Sequence, residues 1–245
     1  MISNGIGMDL KKGIKKLVGY AKKHLYSQVD VFLFHAVSEQ FDEKKNLRVD
    51  WISTQEFKQL VTKISRDYVF VSLEEAQKIL DHKIRKGRAK YAVLTCDDGY
   101  RSVLDILPFL EAKEIPITLF LNPKYLDGVS KREDYVESPE YIGFEDLRNL
   151  NAKYVSIGMH GYEHVDATKQ EPEAFRASLR ECVSYLNSQK CFIPYFAYTW
   201  GKCNQMTQEI LTEEGIVPVF ADGKSNYGYC QGISRKAIEC YQNKK

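Results

Sequence analysis

The chain has no apolar run long enough to span a bilayer, and its N-terminus has no continuous apolar stretch of the kind a secretory leader carries. The expectation is action inside the cell, in the cytoplasm or peripheral at the inner membrane face. The six cysteines, at positions 96, 182, 191, 203, 230 and 240, include no C-x-x-C pair and no zinc-ribbon spacing. Free thiols in a reducing compartment are the simplest account. No internal repeat or low-complexity tract is present. Net charge is only +2, no nucleic-acid motif is recognisable, and the basic stretch lacks interleaved aromatics, so nucleic acid is not an expected partner. Histidine is sparse, with five residues at 24, 35, 82, 160 and 164.

What is present suits one catalytic domain: 245 residues with 44% hydrophobic content can bury a full core. Strand-like runs at 29–34, 91–95, 117–121, 155–159, 192–197 and 217–220 alternate with helix-like stretches that include 102–113, 172–187 and 205–214. Repeated βα units imply a parallel sheet, and this length favours a distorted or incomplete (β/α) barrel over an open doubly wound sheet. Residues 122–143, rich in Lys, Asp, Glu, Tyr and Pro, break the pattern and read as a loop beside the active face. Residues 1–28 form a separate basic amphipathic N-terminal helix, ahead of a catalytic domain at 29–245. Over 8–25, Leu10, Ile14, Leu17, Val18, Ala21 and Leu25 share one side and Lys11, Lys12, Lys15, Lys16, Lys22 and Lys23 the other. Packing of the apolar side on the barrel is the preferred reading; a weak contact with an anionic membrane surface is the other.

Asp97 and Asp98 follow the apolar run Tyr91-Ala92-Val93-Leu94, which places them at the carboxyl end of a buried strand, where parallel α/β folds put their chemistry. Neighbouring strand residues point apart, so one carboxylate can bind a metal while the other handles a proton. His160 and His164 follow a second apolar run, Val155 to Met159. Imidazole suits zinc, nickel, cobalt or iron, and two histidines with one carboxylate leave coordination positions open for water and substrate. Taken alone, Asp-Asp-Gly is often a turn and paired histidines are often surface residues; their joint placement after strands favours a metal site. His35, ending the run Val31 to Phe34, reads equally well as a core histidine from its surroundings.

At these residues the chain resembles the polysaccharide deacetylases, carbohydrate esterase family four, whose hallmarks are T-F-D-D-G and H-x-x-x-H; here they read Thr95-Cys96-Asp97-Asp98-Gly99 and His160-Gly161-Tyr162-Glu163-His164. The resemblance implies a seven-stranded barrel, one divalent metal ion, zinc foremost, on Asp98, His160 and His164, and Asp97 as general base. Phe34-His35-Ala36-Val37 is similar to the Y-H-x-V opening of the poly-N-acetylglucosamine deacetylase subgroup, in which the acid histidine lies early; His35 would be that acid, since no histidine follows the metal pair. Phe196-Ala197-Tyr198-Thr199-Trp200-Gly201 is similar to F-A-Y-P-Y-G, with Thr199 for Pro and Trp200 for Tyr. This loop, through Tyr198, Trp200 and Gly201, would face the substrate, a backbone N–H holding the oxyanion. For the side chain of Tyr198 itself, core packing is slightly favoured over sugar stacking. Ile233-Ser234-Arg235 is similar to a late L-P-R element, giving Arg235 the task of orienting Asp97. Cys96 stands where the family usually has Phe and reads as a small buried filler.

The implied activity is metal-dependent removal of an acetyl group from an N-acetylated amino sugar in a glycan or a lipid- or nucleotide-linked precursor. Two alternatives accompany it: hydrolysis of another small amide or O-acetyl ester, and a catalytically silent saccharide-binding homologue, suggested by the altered Thr199-Trp200 pair.

Overall fold

The computed structural model describes residues 4–39, 51–82, 89–130, 132 and 140–241, with side chains from residue 15 onward. Seven strands make a closed barrel: β1 (Gln28–Phe34), β2 (Lys90–Cys96), β3 (Ile117–Leu121), β4 (Val155–Met159), β5 (Phe192–Ala197), β6 (Val217–Phe220) and β7 (Ile233–Ala237). Each is parallel to its neighbour, and β7 and β2 both pair with β1, which closes the ring. The short strand Tyr68–Phe70 adds to β2, and Asn226–Tyr227 pairs antiparallel with β1. The six expected strands all occur. The seventh, β7, was not expected as a strand: its sequence Ile-Ser-Arg-Lys-Ala has the charge of a surface segment.

Outside the barrel lie α1 (Asn4–Leu25), α2 (Thr54–Ile64), α3 (Leu73–Asp81), α4 (Leu107–Ala112), α5 (Phe144–Arg148), α6 (Pro172–Leu186) and α7 (Gln205–Glu213). Helical spacing buries Phe57, Leu60, Val61 and Ile64 of α2, whose first turn is capped by Ser53 through the Glu56 N–H. Ser72 and Glu75 form a reciprocal capping box on α3. The stretch expected as one helix over 102–113 is split into a 3-10 turn, Arg101–Ile106, and α4, because Pro108 lacks the N–H an unbroken helix needs there. Leu73, Ala76 and Leu80 of α3 join the cluster of Val29, Val31, Val93, Phe120, Ile193 and Val219. A larger apolar layer fills the space between the barrel and the surrounding helices. Gly158 is required at the middle of β4, since a Cβ there would meet the Phe120 ring at 2.5 Å.

Alternation along β7 sends its two charges to opposite faces, and each finds a buried partner. Arg235 reaches Asp97. Lys236 Nζ lies 2.9 Å from Asp30 Oδ1 and also donates to Ser225 Oγ, while Tyr68 and Gln28 donate to Asp30 Oδ2. Burial alone would raise the Asp30 carboxyl; hydrogen bonds from Ser225, Lys236 and Tyr68 outweigh it and hold the group below its ordinary value of 3.8. A depressed folded value stabilises the fold above the unfolded value, and that contribution is lost as pH falls through the folded one. The unfolding midpoint in urea is therefore expected to decline only below about pH 4 on this group's account. Asp30→Asn, which strands the Lys236 charge, should cost about 3–5 kcal/mol at neutral pH; a variant as stable as wild type in urea melts would contradict this.

Over residues 15–25, α1 does not pack its apolar side on the barrel as preferred from the sequence. Leu17, Val18 and Leu25 are 75%, 50% and 57% exposed. The helix meets the domain near its C-terminal end, where Lys22 Nζ donates to the Tyr229 carbonyl and the Tyr26 ring lies against Gly228. Amphipathicity specifies which side is apolar, not what covers it. Among the described residues no helix is long and apolar enough to cross a membrane.

Candidate active site

Five loops converge on the carboxyl-terminal mouth of the barrel, and the first residue after each strand is a site candidate or its support: His35 after β1, Asp97 after β2, Asn122 after β3, His160 after β4 and Tyr198 after β5. The ladder continues into these residues. Asp97 N–H donates to Phe34 O at 3.0 Å and His160 N–H to Leu121 O at 2.9 Å, so their side chains leave from rigid backbone. Beyond Asp97 the chain turns sharply, with Asp98 at φ +71 and Gly99 at φ +75. Asp tolerates this left-handed region better than most side chains, and Gly enters it freely. The turn sends the two carboxylates to different partners.

Asp97 is gripped by Arg235, a fully buried side chain whose two terminal nitrogens donate to its two oxygens at 2.6 and 2.8 Å. The same guanidinium donates to Thr95 Oγ1 and lies 5.1 Å over the Phe120 ring. Burial pushes the Asp97 carboxyl up, but the charges of Arg235 and His160 outweigh it and the net direction is down. Asp97 is thus ionised at neutral pH and can accept a proton.

Asp98 Oδ1 faces His160 Nε2 at 3.2 Å and His164 Nε2 at 3.3 Å, and one ligand atom from each residue lies within 4.8 Å of the others. His160 Nδ1 lies 2.8 Å from the Ala197 carbonyl, which can only accept, so in the neutral ring Nδ1 carries the proton and Nε2 presents a lone pair towards a carboxylate oxygen. Two acceptors facing each other call for a cation or a proton between them. His160 responds accordingly: burial lowers its pKa, the charge of Asp97 and the bond to Asp98 raise it, and the net direction is up. Burial raises the Asp98 carboxyl while the three histidines pull it far below the ordinary carboxylate range. This donor set fits a divalent metal, and the carbonyl behind His160 is the outer partner that ligating histidines usually have.

His35 is half-buried beside this group, near enough that its charge acts on both carboxylates. The Cys96 thiol donates to the His35 carbonyl at 2.9 Å, and burial pushes its pKa well up, so it is no ready nucleophile. Tyr198 is buried, its ring against Phe196 and Phe220, so the phenol is core packing; its N–H reaches Val219 O only at a stretched 3.5 Å. Trp200, 55% exposed at φ +52, sets its ring edge-on to His164 at 4.7 Å. A bulky residue at positive φ is strained and needs surrounding support. That support comes from Thr199, whose hydroxyl donates to the Val165 carbonyl, and from Lys202, which pairs with Asp166 and lies over the Trp200 ring. Thr199 thereby fixes by a cross-loop bond what a proline would fix by its ring. Gly201, at φ +65, donates to Tyr198 O at 2.9 Å.

Three contributors were not foreseen. Asn122 Nδ2 donates to the carbonyls of His160 and Gly161, bracing the histidine turn. Tyr100 and Arg132 both donate to Asp98 Oδ2, at 2.9 and 3.2 Å. Asn122 could have been flagged by its place directly after an apolar run, and Tyr100 by its place after the Asp-Asp-Gly turn; nothing local marks Arg132. Arg132 does come from the segment expected to border the site. The remaining histidines, His24 and His82, are exposed and apart from it.

No curated protein matches the chain. Among solved structures it is similar to IcaB from Ammonifex degensii (TM-score 0.69, 21% identity, covering 86% of this chain and 91% of that one). It is also similar to the Streptococcus pyogenes deacetylase PplD in complex with acetate (0.69, 17%, 87% and 92%) and to a de-N-acetylase from Aggregatibacter actinomycetemcomitans (0.64, 16%, 87% and 96%). These TM-scores establish a shared fold and, at such low identity, the fold alone. The polysaccharide deacetylase family pattern matches residues 84–219, more than half of the chain and the part that carries Asp97, Asp98, His160, His164 and the Tyr198 loop. The chain belongs to the polysaccharide deacetylase family.

Proposed function

We propose that this carbohydrate deacetylase is a metal-dependent amidohydrolase that releases acetate from an N-acetylated amino sugar. The observation that carries the reading is the division of labour between adjacent aspartates: Asp97 has both oxygens held by the buried Arg235, whereas Asp98 leaves one oxygen turned to two imidazole nitrogens. Asp98, His160 and His164 would hold the cation, with zinc the first expectation and cobalt, nickel and iron chemically suitable. A divalent metal bound there supplies Lewis acidity, polarising the acetyl carbonyl and lowering the pKa of water from about 16 towards roughly 7.

The chain's own groups do the rest. Asp97, kept ionised by Arg235, takes a proton from the attacking water. A carboxylate held so low is a weak base, so it depends on a water made acidic, which ties its role to the neighbouring triad. A backbone N–H of the Tyr198 to Gly201 loop would support the oxyanion. His35, on the opposite loop, would deliver the proton that the departing sugar amine requires. Trp200 presents an exposed aromatic face edge beside His164 for sugar contact.

The exposed apolar residues of α1 beside Lys15, Lys16 and Lys23 support a weak contact with an anionic inner membrane face, and with it a lipid-linked saccharide over a soluble one. Acetate release from a panel of N- and O-acetyl saccharides tests the reading. Release from N-acetyl sugars is expected; release from O-acetyl esters alone would replace the amidase with an esterase.

A further inference from the structure

The two oxygens of Asp98 are used differently. Oδ1 is turned to the His160 and His164 nitrogens at 3.2 and 3.3 Å, whereas Oδ2 accepts from the Tyr100 hydroxyl at 2.9 Å and from an Arg132 terminal nitrogen at 3.2 Å. Arg132 is 4% exposed and Asp98 6%. A guanidinium kept that far from water needs a compensating charge, and Asp98 lies within ion-pair distance of it. Tyr100 is held in turn: its ring stacks on Tyr141 at 5.5 Å, Tyr141 stacks on Tyr125 at 5.1 Å, and Ile142 N–H donates to Gly99 O. The end of the segment that carries Arg132 is thus fastened to the turn that carries Asp98.

We propose that Arg132 is a positioning residue for the metal ligand Asp98, acting with Tyr100 to occupy Oδ2 so that Oδ1 alone is presented to the cation. The inference rests on the reading of Asp98, His160 and His164 as a metal site. Single-oxygen ligation keeps coordination positions open for water and the acetyl oxygen, which a catalytic site needs. A carboxylate released from both donors can rotate, bind through both oxygens or withdraw. The contrary effect is also built into the geometry, since a positive guanidinium near a cation repels it. The two effects have opposite signs: loss of positioning weakens metal binding, whereas loss of repulsion tightens it.

Competition of the purified protein with a chromophoric chelator for zinc and for cobalt separates them, using wild type, Arg132→Gln, Arg132→Lys and Tyr100→Phe. The cobalt absorption spectrum reports the coordination geometry. Arg132→Gln is expected to bind metal about 10- to 100-fold more weakly with a changed cobalt spectrum. Tyr100→Phe should shift binding in the same direction, and Arg132→Lys should recover part of the loss. If Arg132→Gln does not fold, as judged by circular dichroism, Tyr100→Phe and Arg132→Lys decide. Unchanged or tighter binding in the folded variants overturns the positioning role while leaving the metal site intact. A wild-type protein that binds neither metal overturns both.

Discussion

Asp97→Asn is expected to lower acetate release by about 100- to 10,000-fold, the usual worth of a general base, while zinc still binds at Asp98, His160 and His164. The amide keeps the shape of the carboxylate and can still accept one hydrogen bond from Arg235, but it cannot take a proton. The same change has a second consequence that the structure makes specific. Arg235 is fully buried and its charge is matched by Asp97 at 2.6 and 2.8 Å, so the variant leaves a cation without its counter-charge in the barrel wall. Breaking such a pair from one side costs about 3–5 kcal/mol, and a fall in the urea midpoint should accompany the loss of activity. Replacing both partners, Asp97→Asn with Arg235→Met, should restore much of the stability and none of the activity. Recovery of activity with stability would show that Asp97 matters for the fold alone.

His35→Ala is expected to cost a comparable factor on N-acetyl sugars and far less on an aryl acetate ester. The reason lies in the leaving group: an amine departs only when protonated, whereas a phenolate leaves unaided. His35 stands next to the strand end that Asp97 also occupies, and the Cys96 thiol fixes its carbonyl, so the ring is presented from a rigid turn. Equal losses on amide and ester would assign His35 to packing or to the electrostatics of the two aspartates instead of proton delivery.

The parts of this molecule that were legible in sequence share one property. Buried parallel strands are continuous apolar runs, and the residue ending such a run lands at the mouth of the barrel; this brought Asp97, His160 and His35 into view. β7 escaped because Arg235 and Lys236 lie on its two faces and are neutralised by Asp97 and Asp30, partners that no local window contains. Arg132 escaped for the same reason, meeting Asp98 across 34 residues from a stretch whose composition reads only as loop. Tyr198 sits in the right loop, yet its ring belongs to the core, a distinction that turns on how the loop packs against Phe220. The α1 helix shows the limit most plainly: its pattern marks an apolar side, but over residues 15–25 that side is not covered by the barrel.

The most direct test of the central claim is acetate release from short N-acetylglucosamine oligomers by enzyme stripped with a chelator and then reloaded separately with zinc, cobalt or nickel. Activity is expected to vanish on stripping and return with metal. Acetate release that survives stripping, or a stripped protein that takes up no metal at all, would contradict the assignment of Asp98, His160 and His164.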